Sequence, residues 1–183
     1  MKKILLISVL LLFILNSCHI SGSFKGLYSY YDKTKKESPD LLLKSSTNIC
    51  SLTYSSNVYI INGQNLKNCL KQEDKSMVFI WSPKCSSRVC IPLDVVQEYC
   101  TKNHITLSIV AEYYDSELMK KVYNIKKPIF GIDTEFYQTD LTDRYLNAFM
   151  NDIAQTNYSN KRYLYFEKGV LKNMTDELDL SNL

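Results

Sequence analysis

Hydrophobic and polar positions change period several times along the chain, and each change marks an element. An apolar run from Ile4 to Leu15, broken only by Ser8, follows Lys2 and Lys3. It falls short of the roughly 20 apolar residues that a membrane-spanning helix needs, and it matches a secretory core. His19 to about Ser46 is rich in Ser, Lys and Tyr without a sustained period, which predicts a tether with one short helix near Leu41-Leu42-Leu43. Asn57 to Ile61 predicts a strand ended by the turn dipeptide Asn62-Gly63, and Asn65 to Leu70 a short helix. Met77 to Trp81 is apolar at every position, as expected of a central strand covered on both faces. Pro92 to Asn103 predicts a helix with Val96 and Cys100 on one face, and Ile105 to Ala111 a second buried strand. Ser116 to Ile125 predicts a helix with Leu118, Val122 and Ile125 on its apolar side. Pro128 to Asp133 is a short extended piece. Tyr145, Leu146, Phe149, Met150 and Ile153 recur at helical spacing within Leu141 to Gln155. Tyr163 to Phe166 and Val170 to Lys172, joined by Glu167-Lys168-Gly169, predict a hairpin. Strands alternating with helices, then a hairpin, predict an α/β fold on a sheet of mixed direction.

Composition narrows the reading. Hydrophobic residues make up 45% of the chain while Gly and Pro are scarce, so a packed core is expected rather than disorder. The net charge is +3, of which Lys2 and Lys3 supply two, and no nucleic-acid partner is implied. Lys33, Lys35 and Lys36 are explained by a solvated linker.

The end of the apolar run carries a motif. Leu15-Asn16-Ser17-Cys18 resembles the bacterial lipobox. The resemblance implies cleavage after Ser17, lipid on Cys18, and a domain held to a membrane of the cell envelope. The expected organisation is a signal over 1–17, a tether over 18–47, a folded domain over 48–174 and a tail over 175–183. Of the six cysteines, five then remain: Cys50, Cys69, Cys85, Cys90 and Cys100. Thiols tend to oxidise in that compartment, so pairing is expected, and the odd number leaves at least one unpaired within the chain. Cys50 and Cys69 are expected to staple the N-terminal part of the domain. Cys100, on an apolar helix face, is expected to act as a small buried hydrophobe.

Val78-Phe79-Ile80-Trp81-Ser82-Pro83-Lys84-Cys85 resembles the thioredoxin superfamily, in which a buried strand ends in an aromatic-rich turn and a reactive cysteine opens a helix. The hairpin, with Phe166 and Gly169, is similar to that family's penultimate strand pair, so the resemblance spans Asn57 to about Met174. It implies a thioredoxin-like mixed central sheet flanked by helices. It further implies a thiol–disulfide oxidoreductase with Cys85 attacking and Cys90 resolving, acting on cysteine-containing exported proteins or served by a membrane thiol reductant. No cofactor and no resident metal are implied. A thiolate is the nucleophile in such exchange, and a helix N-terminus together with Lys84 and Arg88 would favour it.

Two departures leave alternatives open. Ser86-Ser87-Arg88-Val89 puts four residues between Cys85 and Cys90, where the family has two. In one continuous helix, five steps of about 100° would turn Cys90 roughly 140° away, whereas a helix starting at Pro92 lets the pair meet. The family's cis-proline before the hairpin aligns with Lys161, or by a rival alignment with Pro128. The competing functional reading is a non-catalytic binding or scaffold lipoprotein whose cysteines are structural. A metal site from Cys85, Cys90, Cys100 and His104 matches no zinc spacing. Cys90-Ile91-Pro92 is similar to the Cys-Pro ending of thioredoxin-fold copper-delivery proteins, but no histidine follows His104.

Overall fold

The strand Lys75–Trp81 is buried from Ser76 onward, and the fold is arranged around it. A computed structural model describes residues 26–44, 48–85 and 90–181. The signal and lipobox, with Cys18, and Arg88 lie outside the described residues. Seven strands form one sheet: β1 (Leu42–Lys44), β2 (Val58–Ile61), β3 (Lys75–Trp81), β4 (Thr106–Ala111), β5 (Ile129–Ile132), β6 (Tyr163–Glu167) and β7 (Val170–Thr175). Their spatial order is β1-β2-β5-β4-β3-β6-β7. β1 to β5 run parallel, and β6 and β7 add an antiparallel hairpin beyond β3. The protein is therefore α/β with a mixed sheet flanked by helices, consistent with the thioredoxin-like class expected.

Side chains alternate across the pleat and divide the core in two. Met77, Phe79 and Trp81 of β3 face one layer with Leu107, Ile109 and Ala111 of β4. Helices α1 (Tyr31–Glu37), α3 (Leu93–Lys102) and α4 (Ser116–Met119) cover that face. Val78 and Ile80 face the other layer with Val110, Phe130 and Ile132, under α2 (Gly63–Leu70) and α5 (Thr142–Ala154). Both faces of the parallel strands are thus dry, which explains their continuous apolar sequence.

Several elements depart from the sequence reading. The Leu41–Leu43 segment is not helical. Leu42–Lys44 pairs in register with Val58–Ile60 as an edge strand, and the helix of this region is α1, earlier in the chain. Residues assigned to a tether therefore pack on the domain: Tyr31 is buried with its ring edge-on to Tyr114 at 5.2 Å. Asn62-Gly63, expected as a turn before a helix at Asn65, itself starts α2. The Asn62 side chain accepts the Asn65 amide, and the Asn65 side chain accepts the Asn62 amide, a reciprocal cap. The helix expected over Ser116 to Ile125 stops at Met119, and Val122 is 87% exposed rather than on an apolar face. The Tyr123 hydroxyl donates to the Leu118 carbonyl and the Tyr123 amide to the Tyr54 hydroxyl, so side chains take over where the helical ladder ends. The extended piece after Pro128 is an internal strand, β5, inserted between β2 and β4. The hairpin turn is tight, with φ positive at both Lys168 and Gly169, as the twist of paired strands requires.

Glu135, in the loop after β5, clamps the N-terminal segment. It binds Lys35 of α1 at 2.7 Å and Lys44 of β1 at 2.6 Å. Hydrogen bonds from these two lysines lower its carboxyl to about 2 from an ordinary 4.5. The clamp's contribution is complete above the ordinary value and is lost as pH falls through about 2. Amide-exchange protection of residues 31–44, corrected for intrinsic rates, is expected to fall over that window, and Glu135→Gln should show the reduced protection already at neutral pH.

Candidate functional site

The parallel strands β2 to β5 all end at one edge of the sheet, and the chemistry collects there. β3 leaves the core at Trp81 and turns at once, with the Cys85 amide donating to the Ser82 carbonyl at 3.1 Å. The turn is tied down twice. The Ser82 hydroxyl donates to the Glu112 carboxylate just past β4. The Lys84 amide donates to the Tyr113 hydroxyl at 3.0 Å. Cys85 and Cys90 form a disulfide, with Cα atoms 5.8 Å apart. They meet because α3 begins at Leu93, with Pro92 as the extended residue before it. Of the two arrangements left open by the spacing, this is the one in which the helix starts beyond Cys90.

That late start moves the helix terminus. Cys85 stands eight residues before α3, whereas Cys90 lies next to its flanking segment Ile91-Pro92. The N-terminus of α3 therefore stands closer along the chain to Cys90 than to Cys85, and Asp94 in its first turn already offers its amides a negative charge. Lys84 is not a free cation beside Cys85. Its ammonium pairs with Asp115 at 2.6 Å, and that hydrogen bond holds it above the ordinary lysine value. Burial pushes the Asp115 carboxyl up, but the Lys84 bond and the Leu118 and Glu117 amides outweigh it and hold the group low. The Glu112 carboxyl is raised by burial, against the opposing pull of the Arg162 guanidinium.

Both cysteines are partly exposed and line a cleft of about 430 Å³. Phe79, Trp81, Pro92, Leu118, Tyr123 and Arg162 form part of its wall. Trp81 meets the Tyr123 ring edge-on at 5.5 Å. Arg162 arrives because β6 runs antiparallel to β3, which brings the start of the hairpin beside the cysteine turn; its carbonyl accepts the Ile80 amide at 2.8 Å. Lys161 precedes it and pairs with Asp176 at 2.7 Å. Pro128 precedes β5 and so lies at the opposite end of the sheet, away from the cysteines. No peptide bond among the described residues is cis.

No known protein family, curated protein or solved structure matches this chain.

The other cysteines occupy different surroundings. Cys50 and Cys69 form a disulfide with an S–S distance of 2.02 Å and a Cα separation of 5.2 Å. The bridge ties the turn Ile49–Ser51 to α2 against the core layer of Val78 and Phe130. A loop of this size stabilises by about 3 kcal/mol in the chain-entropy model. Cys100 is free and buried on α3, its thiol 3.7 Å from the Met77 sulfur. It is not drawn toward Cys85 and Cys90, and His104 lies past the far end of α3. Among the described residues no three metal-ligating side chains converge.

The strand, the turn and both cysteines of the cleft were visible in the sequence. Glu112, Tyr123 and Arg162 were not singled out, because each comes from another strand end or loop. The position of Lys161 in the hairpin alignment was the one signal that pointed near Arg162. Burial pushes the Cys100 thiol up to about 12. It should therefore stay protonated at pH 8, and iodoacetamide should modify it at least about a hundredfold more slowly in the folded protein than in urea, where a thiol titrates near about 8.5.

Proposed function

We propose that this protein is a lipid-anchored domain of the bacterial cell envelope that exchanges disulfides with cysteine-containing exported proteins through Cys85 and Cys90. The observation that carries the reading is the contrast between the two bridges. Cys50–Cys69 joins a turn to a helix, with Cys69 buried, and borders a space of only about 20 Å³, while Cys85–Cys90, with both cysteines partly exposed, lines a cleft of about 430 Å³ with an apolar wall and one guanidinium. Exchange needs a sulfur that a second thiolate can reach in line, and the cleft beside Cys85–Cys90 is the larger of the two spaces by far.

In the reducing direction, the Cys85 thiolate attacks one sulfur of a client disulfide. A mixed disulfide forms and one client thiolate leaves. The Cys90 thiolate then attacks Cys85, releasing the second client sulfur and closing the Cys85–Cys90 bridge. Two electrons pass from the domain to the client, and a membrane dithiol reductant restores the domain by the same exchange. The support for Cys85 as the attacking residue is its place on the pinned turn directly after β3, not a helix terminus. The neutralised Lys84 and the acidic first turn of α3 favour the second reading, a scaffold lipoprotein that keeps the bridge for structure alone.

Trapping separates the two readings. Cys90→Ser is expected to accumulate mixed disulfides with envelope proteins, seen on non-reducing gels and abolished by Cys85→Ser in the same chain. A bridge that resists exchange, with a reduction potential below about −300 mV and no trapped client, would mean the scaffold reading holds.

Anchoring rests on the lipobox, since among the described residues no helix is long and apolar enough to cross a membrane. Cys18→Ser is expected to yield an uncleaved or soluble chain that lacks acyl mass. Normal processing and acylation in that variant would refute the anchor.

A further inference from the structure

We infer that the edge of the sheet bearing Cys85 and Cys90 lies against the bilayer that holds the chain, docked through Leu27, Tyr28 and Phe136. The inference rests on the proposed lipid anchor at Cys18 and is independent of whether the cysteines exchange.

Two observations converge on this edge. The first is where the described chain begins. Gly26 is eight residues beyond Cys18, and eight residues reach at most about 29 Å when fully extended. The chain then enters the fold at the cysteine edge. The Ser29 amide donates to the Asp140 carbonyl at 2.8 Å, the Thr142 amide to the Leu27 carbonyl at 3.1 Å, and the Tyr114 amide to the Ser29 carbonyl at 2.7 Å. Asp140 lies in the connection from β5 to α5, Thr142 is the first residue of α5, and Tyr114 follows β4. All three therefore lie at the edge where the parallel strands end. Tyr30 stacks edge-on to Tyr113 at 6.4 Å, and Tyr113 in turn holds Lys84, the neighbour of Cys85. The root of the tether and the cysteine turn are two residue contacts apart.

The second observation is what this edge exposes. Leu27 is 43% exposed, Tyr28 46% and Phe136 48%. Phe136 sits in the loop that follows β5, and the end of that loop pairs with Tyr28 through a bridge at Leu141. Three large apolar side chains are thus presented by two segments bonded to each other, at the edge nearest the anchor. Tyr28, with an apolar ring and a polar hydroxyl, suits the headgroup level of a membrane, and Leu27 and Phe136 add wholly apolar side chains beside it. A short tether keeps that surface at high effective concentration over its own bilayer, so modest burial of three side chains suffices. The charges around the patch are largely paired, Lys35 and Lys44 with Glu135 and Lys84 with Asp115, so contact with a zwitterionic surface is what the chemistry fits.

The test uses the full acylated chain in phosphatidylcholine vesicles carrying a dansyl-labelled headgroup. Trp81 is the single tryptophan, at the cysteine end of β3, and serves as energy donor. The comparator carries Trp81→Phe with Lys75→Trp, which moves the donor to the exposed far end of the same strand, roughly 20 Å away. Transfer from Trp81 is expected to exceed that from position 75 at least twofold. Leu27→Asp with Phe136→Asp, or Phe136→Asp alone if the pair unfolds by circular dichroism, should at least halve transfer from Trp81 while the chain still floats with vesicles. Equal transfer from the two ends, greater transfer from position 75, or no response to the Asp variants overturns the inference. A chain without acyl mass that fails to float overturns the anchor as well, and mass spectrometry tells that failure from the first.

Discussion

The burial of β3 on both faces is the constraint on which the rest depends. A parallel strand has no exposed side, so Met77, Phe79 and Trp81 require one helical layer and Val78 and Ile80 a second. The layers are supplied from distant parts of the chain, α3 following β3 itself and α5 arriving some sixty residues later. Removing any of these side chains would open a cavity in a close-packed interior, at about 2–5 kcal/mol for a large-to-small change. The strand also has neighbours of both directions, β4 parallel and β6 antiparallel. Its carboxyl end is therefore flanked by the end of one strand and the start of another.

That flanking makes the cleft. Cys85 is held on a turn whose fixed points are Glu112 and Tyr113, just past β4, and Arg162 joins the same cleft from just before β6. A sulfur so placed is reachable yet not free to wander, a combination suited to in-line exchange between sulfurs. The second bridge, Cys50–Cys69, shows what the same covalent bond does in a different setting. It joins a turn to a helix over packed apolar side chains, and its effect is to limit the freedom of the unfolded chain.

The N-terminal segment packs beside this site. Its sequence is polar and aperiodic, as a linker's would be, yet its few apolar residues are spent at contacts: Tyr31 on Tyr114, Leu41 in the core, Leu42 beside β2. Glu135 closes it down with two lysines. Gly131 leaves room for this arrangement, since a Cβ there would stand 2.6 Å from the Tyr114 ring. The segment is thus an edge of the domain, and it places the first described residues at the cysteine end of the sheet.

Much of this was legible along the chain. The period of apolar residues located β2, β3, β4 and β6 and helices α3 and α5, because each buries a face wide enough to impose its own repeat. The turn at Ser82 to Cys85 was implied by the resemblance of Val78 to Cys85 to the thioredoxin superfamily. Other features depended on partners far away in sequence. Leu42–Lys44 is a strand because β2 offers it an edge, and a three-residue apolar run has no period of its own. Ser116 to Ile125 has helical spacing, but Tyr54 and Tyr123 take up its backbone after Met119. Whether Cys85 meets Cys90 was open in the sequence, since four intervening residues suit either a helix or a loop. The packed position of α3 decides it, because a helix pinned through Leu93, Val96 and Cys100 cannot begin earlier without carrying Cys90 away from Cys85. Local pattern determines which segments must be buried, whereas the order of strands in the sheet determines which residues then share an edge.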